Sequence, residues 1–176
     1  MDIFFEQLVV KKKTALDFLK KLGIALAAII LFVLLVVIIP KLLPAFGYFG
    51  VMLGVAGVFG AYYLISYMYT EYEYIITNGE LDIDKIVGRR KRKRIITVNT
   101  KDFTQFGIYD KNEHISQSYD LILYVCHNQK SDGNYYAVTE HRTFGKCLIV
   151  MSLNENMVDA FKKTVKKTAI KSLQSH

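Results

Sequence analysis

Between residues 22 and 70 the chain carries a single charged side chain, Lys41, whereas the 106 residues that follow carry 30. Pro40 and Pro44 interrupt this stretch, so the pattern predicts two apolar helices joined by a short turn. Residues 22–39 form a run of 18 residues without a polar side chain, and about 20 apolar residues cross the hydrocarbon of a bilayer. The stretch therefore predicts a two-helix transmembrane hairpin over residues 22–70, with spans at 22–39 and about 46–69.

The two predicted spans differ in composition. Fourteen of residues 22–39 are Leu, Ile, Val or Phe, so this span is predicted to insert unaided. Residues 46–69 hold five glycines and five tyrosines, a composition that weakens insertion and favours a packed neighbour. The candidate helix-packing positions are Gly50, Gly54, Gly57 and Gly60. Packing on the first span of the same chain is the favoured interpretation, with a homodimer or a partner membrane subunit as alternatives.

Basic residues in the short flanks predict the orientation of this hairpin. Five lysines precede the first span, Lys41 alone lies between the spans, and a dense basic run follows them. Because basic flanks stay on the cytoplasmic side, both termini are predicted to be cytoplasmic, in a multi-pass protein of the cell inner membrane or plasma membrane. No small-residue cleavage site follows the first apolar stretch, so we expect an uncleaved anchor and not a signal peptide.

Residues 1–21 read as a basic amphipathic segment. The apolar side chains of Ile3, Phe4, Leu8 and Val9 interleave with Glu6 and the lysines, a pattern that suits a short helix on the membrane surface. A frayed basic tail is the alternative. Thr14 followed by Asp17 predicts a capping box at the start of a helix that continues into the first span.

Residues 71–176 change to strand patterns and are predicted to form a cytoplasmic domain. Asn78-Gly79 between two alternating runs is a strong hairpin signal. The predicted strands are 72–77, 80–87, 93–98, 103–109, 120–126, 134–140 and 145–151. A final amphipathic helix is predicted over 155–173, with Asn154 as its N-cap. Its apolar stripe is Val158, Phe161, Val165, Ala169 and Leu173, and its lysines, Lys162, Lys163, Lys166, Lys167 and Lys171, are interpreted as a solvated face.

Seven short strands followed by one amphipathic helix is the element order of a pleckstrin-homology-like (PH-like) barrel or sandwich. The segment Tyr-Ile-Ile-Thr-Asn-Gly-Glu-Leu at 74–81, then Gly88-Arg89-Arg90 and residues 95–98, resembles the opening of the bacterial PH-domain membrane proteins. In that group two membrane spans commonly precede the domain. The resemblance implies a fold, a mostly β domain with a C-terminal helix, and a membrane-side location, and it supplies no catalytic residues.

Six consecutive cations form the densest charged feature, Arg89, Arg90, Lys91, Arg92, Lys93 and Arg94. If the first hairpin of the domain stands upright on the membrane, its second strand returns this run to the headgroups. One hypothesis is that the run is only topogenic, with Arg92 and Arg94 paired across the hairpin to Asp82 and Asp84. A second is contact with anionic lipid headgroups. A third is an acidic protein or nucleic acid, but no RNA-binding aromatic motif or helix-turn-helix accompanies the run.

No motif names a reaction. Cys126 and Cys147 are expected to be small buried hydrophobes in strands. Together with His127 and His141 they could be assembled into a zinc site on paper, but no Cys-x-x-Cys spacing supports a metal site, and no cofactor is predicted. His114 and His141 are expected at the surface, and no Gly-x-Ser-x-Gly elbow or Walker loop occurs.

These observations predict a non-enzymatic integral membrane protein that presents a PH-like domain at the cytoplasmic membrane face. Its partners would be the bilayer and its anionic headgroups, in a contact or scaffolding role. The alternative is an accessory subunit of a larger membrane complex, binding protein partners through the glycine-rich second span and the cytoplasmic domain.

Overall fold

A computed structural model describes residues 4–171 except 116, 130 and 132. The chain divides into two compact units, one made of Met1–Lys12 together with Thr70–His176 and the other of Lys13–Tyr69. The second unit is therefore an insertion between two parts of the first. We describe each unit by itself.

The inserted unit is a helical hairpin. Helix α1 covers Ala15–Val33, continues through a π-helical turn at Leu34–Ile38, and ends in α2 at Ile39–Leu42. A 3₁₀ turn at Pro44–Phe46 leads into α3 at Gly47–Tyr67. Pro40 has no N–H to donate to the carbonyl four residues earlier, so the widened turn lies directly before it.

The start of α1 confirms the predicted capping box. The backbone N–H of Asp17 donates to the Thr14 hydroxyl over 3.3 Å, and the Thr14 N–H donates to the Asp17 carboxylate over 3.0 Å. The helix starts at Ala15 and continues into the predicted span, as expected from the capping box, and Leu16, Phe18 and Leu19 are exposed apolar side chains of its first turns. Two segments, Ala15–Leu42 and Pro44–Tyr67, are long and apolar enough to cross a membrane by length and composition.

The N-terminal segment is a strand, and the predicted surface helix is wrong. Strand β1 covers Phe4–Val10 and pairs antiparallel with β2 at Thr70–Thr77, from Phe4 opposite Thr77 to Val10 opposite Glu71. Alternate residues Phe5 and Val9 pack on the core side of the sheet while Phe4 and Leu8 lie exposed on the other. Ile3, part of the same prediction, lies outside the described residues.

Two four-stranded sheets build the β-rich unit. The first has the order β1-β2-β3-β4, with β3 at Glu80–Val87 and β4 at Lys91–Asn99, and confirms the Asn78-Gly79 hairpin. The second has the order β5-β7-β8-β6. Its strands are β5 at Phe103–Ile108, β6 at Leu121–Tyr124, β7 at Tyr135–His141 and β8 at Gly145–Met151. All seven predicted strands are present, and β1 makes eight strands among the described residues.

The main core lies between these sheets and helix α5 at Glu155–Thr164. Tyr74, Leu81 and Ile83 of the first sheet pack in one cluster with Phe106 and Ile149 of the second. Phe161 of α5 stacks on Phe106, with ring centroids 4.9 Å apart. A second core cluster includes Tyr136 and Val150. The fold also contains a short helix, α4, at Lys111–Ile115.

Helix α5 is shorter than predicted. Asn154 caps its first turn, as expected, by accepting the Met157 N–H over 2.9 Å, but the helix ends at Thr164. Ile170 then pairs with Phe106 of β5, and this tertiary pairing prevails over helix propensity. The apolar stripe is nevertheless buried at Val158, Phe161, Val165 and Ala169, while Leu173 lies outside the described residues.

Candidate functional site

The basic run begins in a turn and continues along a strand. Arg89 and Arg90 belong to the turn between β3 and β4, where Gly88 and Arg89 have φ values of 61° and 58° and the Arg90 N–H donates to the Val87 carbonyl over 3.2 Å. The remaining four cations are the first residues of β4. Because successive side chains of a strand point to opposite faces, the run is divided between the two faces of the first sheet.

One half of the run faces carboxylates on the outer face, the face turned away from the main core. Arg92 binds Glu73 at 2.8 Å, Arg94 binds both Asp82 and Asp84, and Arg89 lies 3.8 Å from Glu71. The predicted pairing is thus confirmed for Arg94. Arg92 stands opposite Ile86 in register and reaches Glu73 of β2 instead.

Three of the four carboxylates of this network are buried although they lie on the outer face. Glu73 and Asp84 are each 3% exposed, and Glu71 is 7% exposed. Burial raises the pKa of Glu73, and the neighbouring Glu6 and Asp84 carboxylates raise it further while Arg92 lowers it. Three cations of the run are therefore committed to neutralising acids of the same sheet.

Lys91 and Lys93, in the other half of the run, lie on the core face of the first sheet, beyond the last residues of the main core. Lys93 stands directly opposite Lys85 of β3, and Lys85 stands opposite Tyr72 of β2. Lys91 stands opposite Val87 on the same face. Among the residues described, no ion pair involves Lys85, Arg90 or Lys93. Two like charges directly across a strand pair repel each other, so this arrangement leaves uncompensated positive charge.

Lys11 adds a cation at the same end of the sheet. Its N–H donates to the Thr70 carbonyl over 3.2 Å, and Thr70 pairs with Val87, the last residue of β3. We call the set Lys11, Lys85, Arg90, Lys91 and Lys93 the basic end. Both connections to the helical hairpin leave the sheet here, because residues 12 and 70 are the last and first residues of the β-rich unit around the insertion.

The loop after β6 fastens β1 at this end. The Lys12 N–H donates to the His127 carbonyl over 2.8 Å, and the His127 Nδ1–H donates a hydrogen bond to the Val10 carbonyl oxygen. Further along β1, the Gln7 side chain donates to the Ser152 carbonyl over 2.9 Å and accepts from the Asn154 N–H over 3.0 Å. The first strand is thus tied to the segments that follow β6 and β8.

The candidate glycines of α3 are not equivalent. Gly50 lies so close to the Leu35 carbonyl that a Cβ would overlap it, and a Cβ on Gly54 would lie 3.0 Å from the Phe32 ring. Gly57 faces Leu31, whose Cδ2 would be 3.5 Å from a Cβ, whereas a Cβ on Gly60 would meet nothing within 4 Å. Gly50 and Gly54 therefore pack on the first helix of the same chain.

The residues considered for chemistry lie apart from the basic run. Cys126 and Cys147 are buried, as predicted, although Cys126 follows β6 and does not lie in it. Burial raises the pKa of both thiols. The described part of the chain contains no group of three or more His, Cys, Asp and Glu side chains arranged to hold a metal ion. The surface placement predicted for His114 is wrong, because this side chain is 6% exposed.

Sequence reasoning missed Lys11 and Lys85 as members of the basic end, and Glu73 as the partner of Arg92. Lys85 could have been found from the Asn78-Gly79 hairpin register, which places it beyond the core on the face of Leu81 and Ile83. Lys11 and Glu73 depend on the pairing of β1 and on the reach of Arg92, for which a local pattern holds no signal.

Comparison with known proteins agrees with this architecture. The family described as bacterial PH-like domain (DUF6106) matches residues 1–171, which include β1, both apolar helices and the β-rich unit. A search of curated proteins and a search of solved structures find no significant match. The match over nearly the whole chain shows that this protein belongs to the bacterial PH-like domain family DUF6106.

Proposed function

We propose that this protein is a non-enzymatic integral membrane protein whose PH-like domain contacts anionic lipid headgroups through its basic end. The observation that carries the proposal is the division of the basic run by the strand. Arg89, Arg92 and Arg94 are neutralised by carboxylates of the sheet, whereas Lys85 and Lys93 face each other without a carboxylate partner among the described residues.

The helical hairpin lies between β1 and β2 in the sequence, and this order supports a membrane-anchored topology. Strands β1 and β2 are neighbours in one sheet although the two apolar helices separate them in sequence. Both strands must lie on the same side of any membrane that the helices cross, and two crossings satisfy this requirement. The basic flanks favour the cytoplasmic side.

The helical unit carries interfacial side chains near its two ends in sequence. Lys13 and Lys21 lie over the Tyr69 ring, with Nζ 5.2 and 6.0 Å from its centroid. Tyr63 and Tyr67 share a hydrogen bond of 2.8 Å one turn away. Aromatic rings and lysines of this kind favour the headgroup level, so we place this end of the hairpin at the cytoplasmic interface.

The basic end follows this interface directly in the chain. Residue 70 is the first residue of β2 and stands opposite Val87, which immediately precedes the basic turn. Each cation close to an anionic surface contributes about 1 kcal/mol, reduced by salt. Since the helices already provide attachment, this energy orients the domain and gathers anionic lipids around it.

The test uses the full chain in nanodiscs, because the β-rich unit includes residues from both sides of the hairpin. A fluorophore at Glu140→Cys, an exposed position near the C-terminal end of β7, reports its distance to labelled headgroups. With anionic lipid we expect a fixed distance that becomes variable as salt rises. In purely zwitterionic discs we expect the variable distance at all salt concentrations.

A triple variant, Lys85→Gln with Arg90→Gln and Lys93→Gln, should abolish the difference between the two lipids. The matched control removes three exposed lysines from the C-terminal region, Lys162→Gln, Lys163→Gln and Lys166→Gln, and should retain the difference. Equal behaviour of both variants would contradict a role for the basic end and leave only net charge.

The accessory-subunit function remains a second candidate with a narrower surface. Gly50 and Gly54 are covered by the first helix, so a partner helix would dock along Ala56 and Gly60, where added side-chain volume meets open space. Co-purification in mild detergent tests this candidate. A complex that survives Gly60→Leu would contradict docking at this surface.

A further inference from the structure

A hydrogen-bonded relay between α4 and the segment that precedes β6 ends on a buried histidine. His114 of α4 contacts the Tyr119 hydroxyl through Nδ1 at 2.8 Å, and the Tyr119 hydroxyl donates to Gln117 Oε1 at 2.8 Å. The Gln117 side-chain amide in turn donates to the Glu113 carbonyl over 3.3 Å. All residues of this relay come from one short segment of the chain, between Glu113 and Tyr119.

The order of donors in this relay determines the state of the imidazole. The Gln117 nitrogen faces a carbonyl, so its oxygen faces Tyr119 and accepts the single hydroxyl proton. The Tyr119 oxygen must therefore accept from His114, which places a hydrogen on Nδ1. In the neutral ring Nε2 then carries a lone pair and no proton.

The surroundings of His114 disfavour a second proton. The side chain is 6% exposed, and its ring lies 4.2 Å from Tyr136 and 5.5 Å from Tyr109, measured between centroids. Among the described residues neither His114 Nε2 nor the Tyr136 hydroxyl has a hydrogen-bond partner. An imidazolium would therefore hold an N–H without an acceptor inside an aromatic cluster.

Some of the charged groups around the ring raise the pKa of His114 and others lower it. They are Glu113 on the same helix, Asp110 before it and Lys171 of the C-terminal segment, with the titratable hydroxyls of Tyr109, Tyr119 and Tyr136 on the packed elements. Burial lowers the pKa of His114 from its ordinary value of 6.5, Lys171 lowers it further, and Glu113 and Asp110 oppose the shift. The Tyr136 hydroxyl, whose pKa burial raises to about 12, stays protonated at neutral pH.

We propose that His114 is a proton-operated latch, which holds α4 on the second sheet while the imidazole is neutral and releases it when Nε2 is protonated. The device is independent of the basic end and of lipid. It goes beyond the proposed function because it gives this face of the domain two states that acidity interconverts. The released state exposes the Tyr136 face of β7 together with the ring of Tyr109.

The sign of the effect follows from linkage. The released histidine has the ordinary pKa of 6.5 while the pKa of the closed one is lower, so the closed state is most favoured above pH 6.5 and becomes less favoured as the pH falls. Between these two pKa values, protonation of His114 changes the equilibrium constant for closing by up to about tenfold for each pH unit. Amide hydrogen exchange at Lys111 to His114, corrected for intrinsic rates, measures this in the full chain in nanodiscs.

Two variants and a direct titration separate the outcomes. His114→Phe keeps an aromatic ring and should remove the pH dependence of α4 exchange, whereas His141→Gln, at a partly exposed histidine, should leave it unchanged. The imidazole of the wild-type protein, followed by nitrogen NMR, should show the Nδ1–H tautomer and titrate below 6.5. A His114 that titrates at or above 6.5, or α4 exchange with the same pH dependence in His114→Phe, would overturn the latch.

Discussion

Lys85 and Lys93 stand directly opposite each other on neighbouring strands, one residue away from the Asp84–Arg94 ion pair on the other face of the same sheet. Strand alternation thus converts six consecutive cations into two different surfaces. One surface is an ion-pair network with buried carboxylates, and the other is a cluster of like charges. A count of charges in the sequence does not separate them.

Adjacent residues of the run should therefore respond in opposite ways to the same substitution. Arg92→Gln leaves the buried Glu73 carboxylate without its cation and should destabilise the β-rich unit by about 1–3 kcal/mol. Lys93→Gln relieves repulsion with Lys85 and should stabilise it by up to about 1 kcal/mol. Thermal unfolding of the full chain in one detergent at pH 7 compares them. A similar shift for both variants would contradict the division of the run.

Strand β1 should be necessary for the β-rich unit to fold. A fragment that begins at residue 71 lacks β1 and exposes the edge of β2, so we expect it to unfold without a cooperative transition. Fusing residues 1–12 to residue 70 through a Gly/Ser linker should restore the transition, because Lys11 and Thr70 are hydrogen-bonded neighbours. A cooperative transition in the fragment without β1 would contradict this requirement.

Neighbouring positions on β1 provide a finer test. Val9 is 6% exposed in the main core, and Val9→Ala should cost about 1–3 kcal/mol. Leu8 is 51% exposed, and Leu8→Ala should change stability by no more than about 0.5 kcal/mol. The difference between the two unfolding free energies reports the packing of β1 directly. Equal costs would place β1 in another register.

Local patterns predicted most of this fold, and the failures have a common physical origin. The hairpin at Asn78-Gly79 and strand β8 could be predicted because turn residues and the alternation of apolar and polar side chains are signals that span only a few residues. Strand β1 was missed because its partner lies beyond the whole helical insertion, and a seven-residue apolar pattern alone fits a strand or a surface helix. The burial of His114 was missed for the same reason, since Tyr136 lies two elements away.

The buried Glu73 should give the β-rich unit a recognisable pH dependence. Its folded-state pKa is raised above the ordinary 4.5 mainly by burial, so the folded state holds this proton more tightly than the unfolded chain. The stability that this tighter proton binding contributes is fully present below pH 4.5 and is lost as the pH rises through the raised pKa of Glu73. Glu73→Gln should flatten stability over that window, as measured by unfolding at several pH values. An unchanged profile would assign the dependence to another group.

The glycines of α3 should separate packing within the hairpin from contacts outside it. Gly50→Leu places a side chain against the Leu35 carbonyl and should separate the two helices, whereas Gly60→Leu adds volume where nothing lies within 4 Å. We expect Gly50→Leu to lower the midpoint of unfolding in mild detergent and Gly60→Leu to leave it unchanged, because overpacking at a close helix contact forces the backbones apart. Disulfide trapping between Leu31→Cys and Gly57→Cys, whose positions face each other, is a second readout of helix proximity in each background. If Gly60→Leu alone reduced the midpoint, the face around Gly60 would be an occupied contact in the membrane, and the monomeric hairpin would be only part of the packing unit.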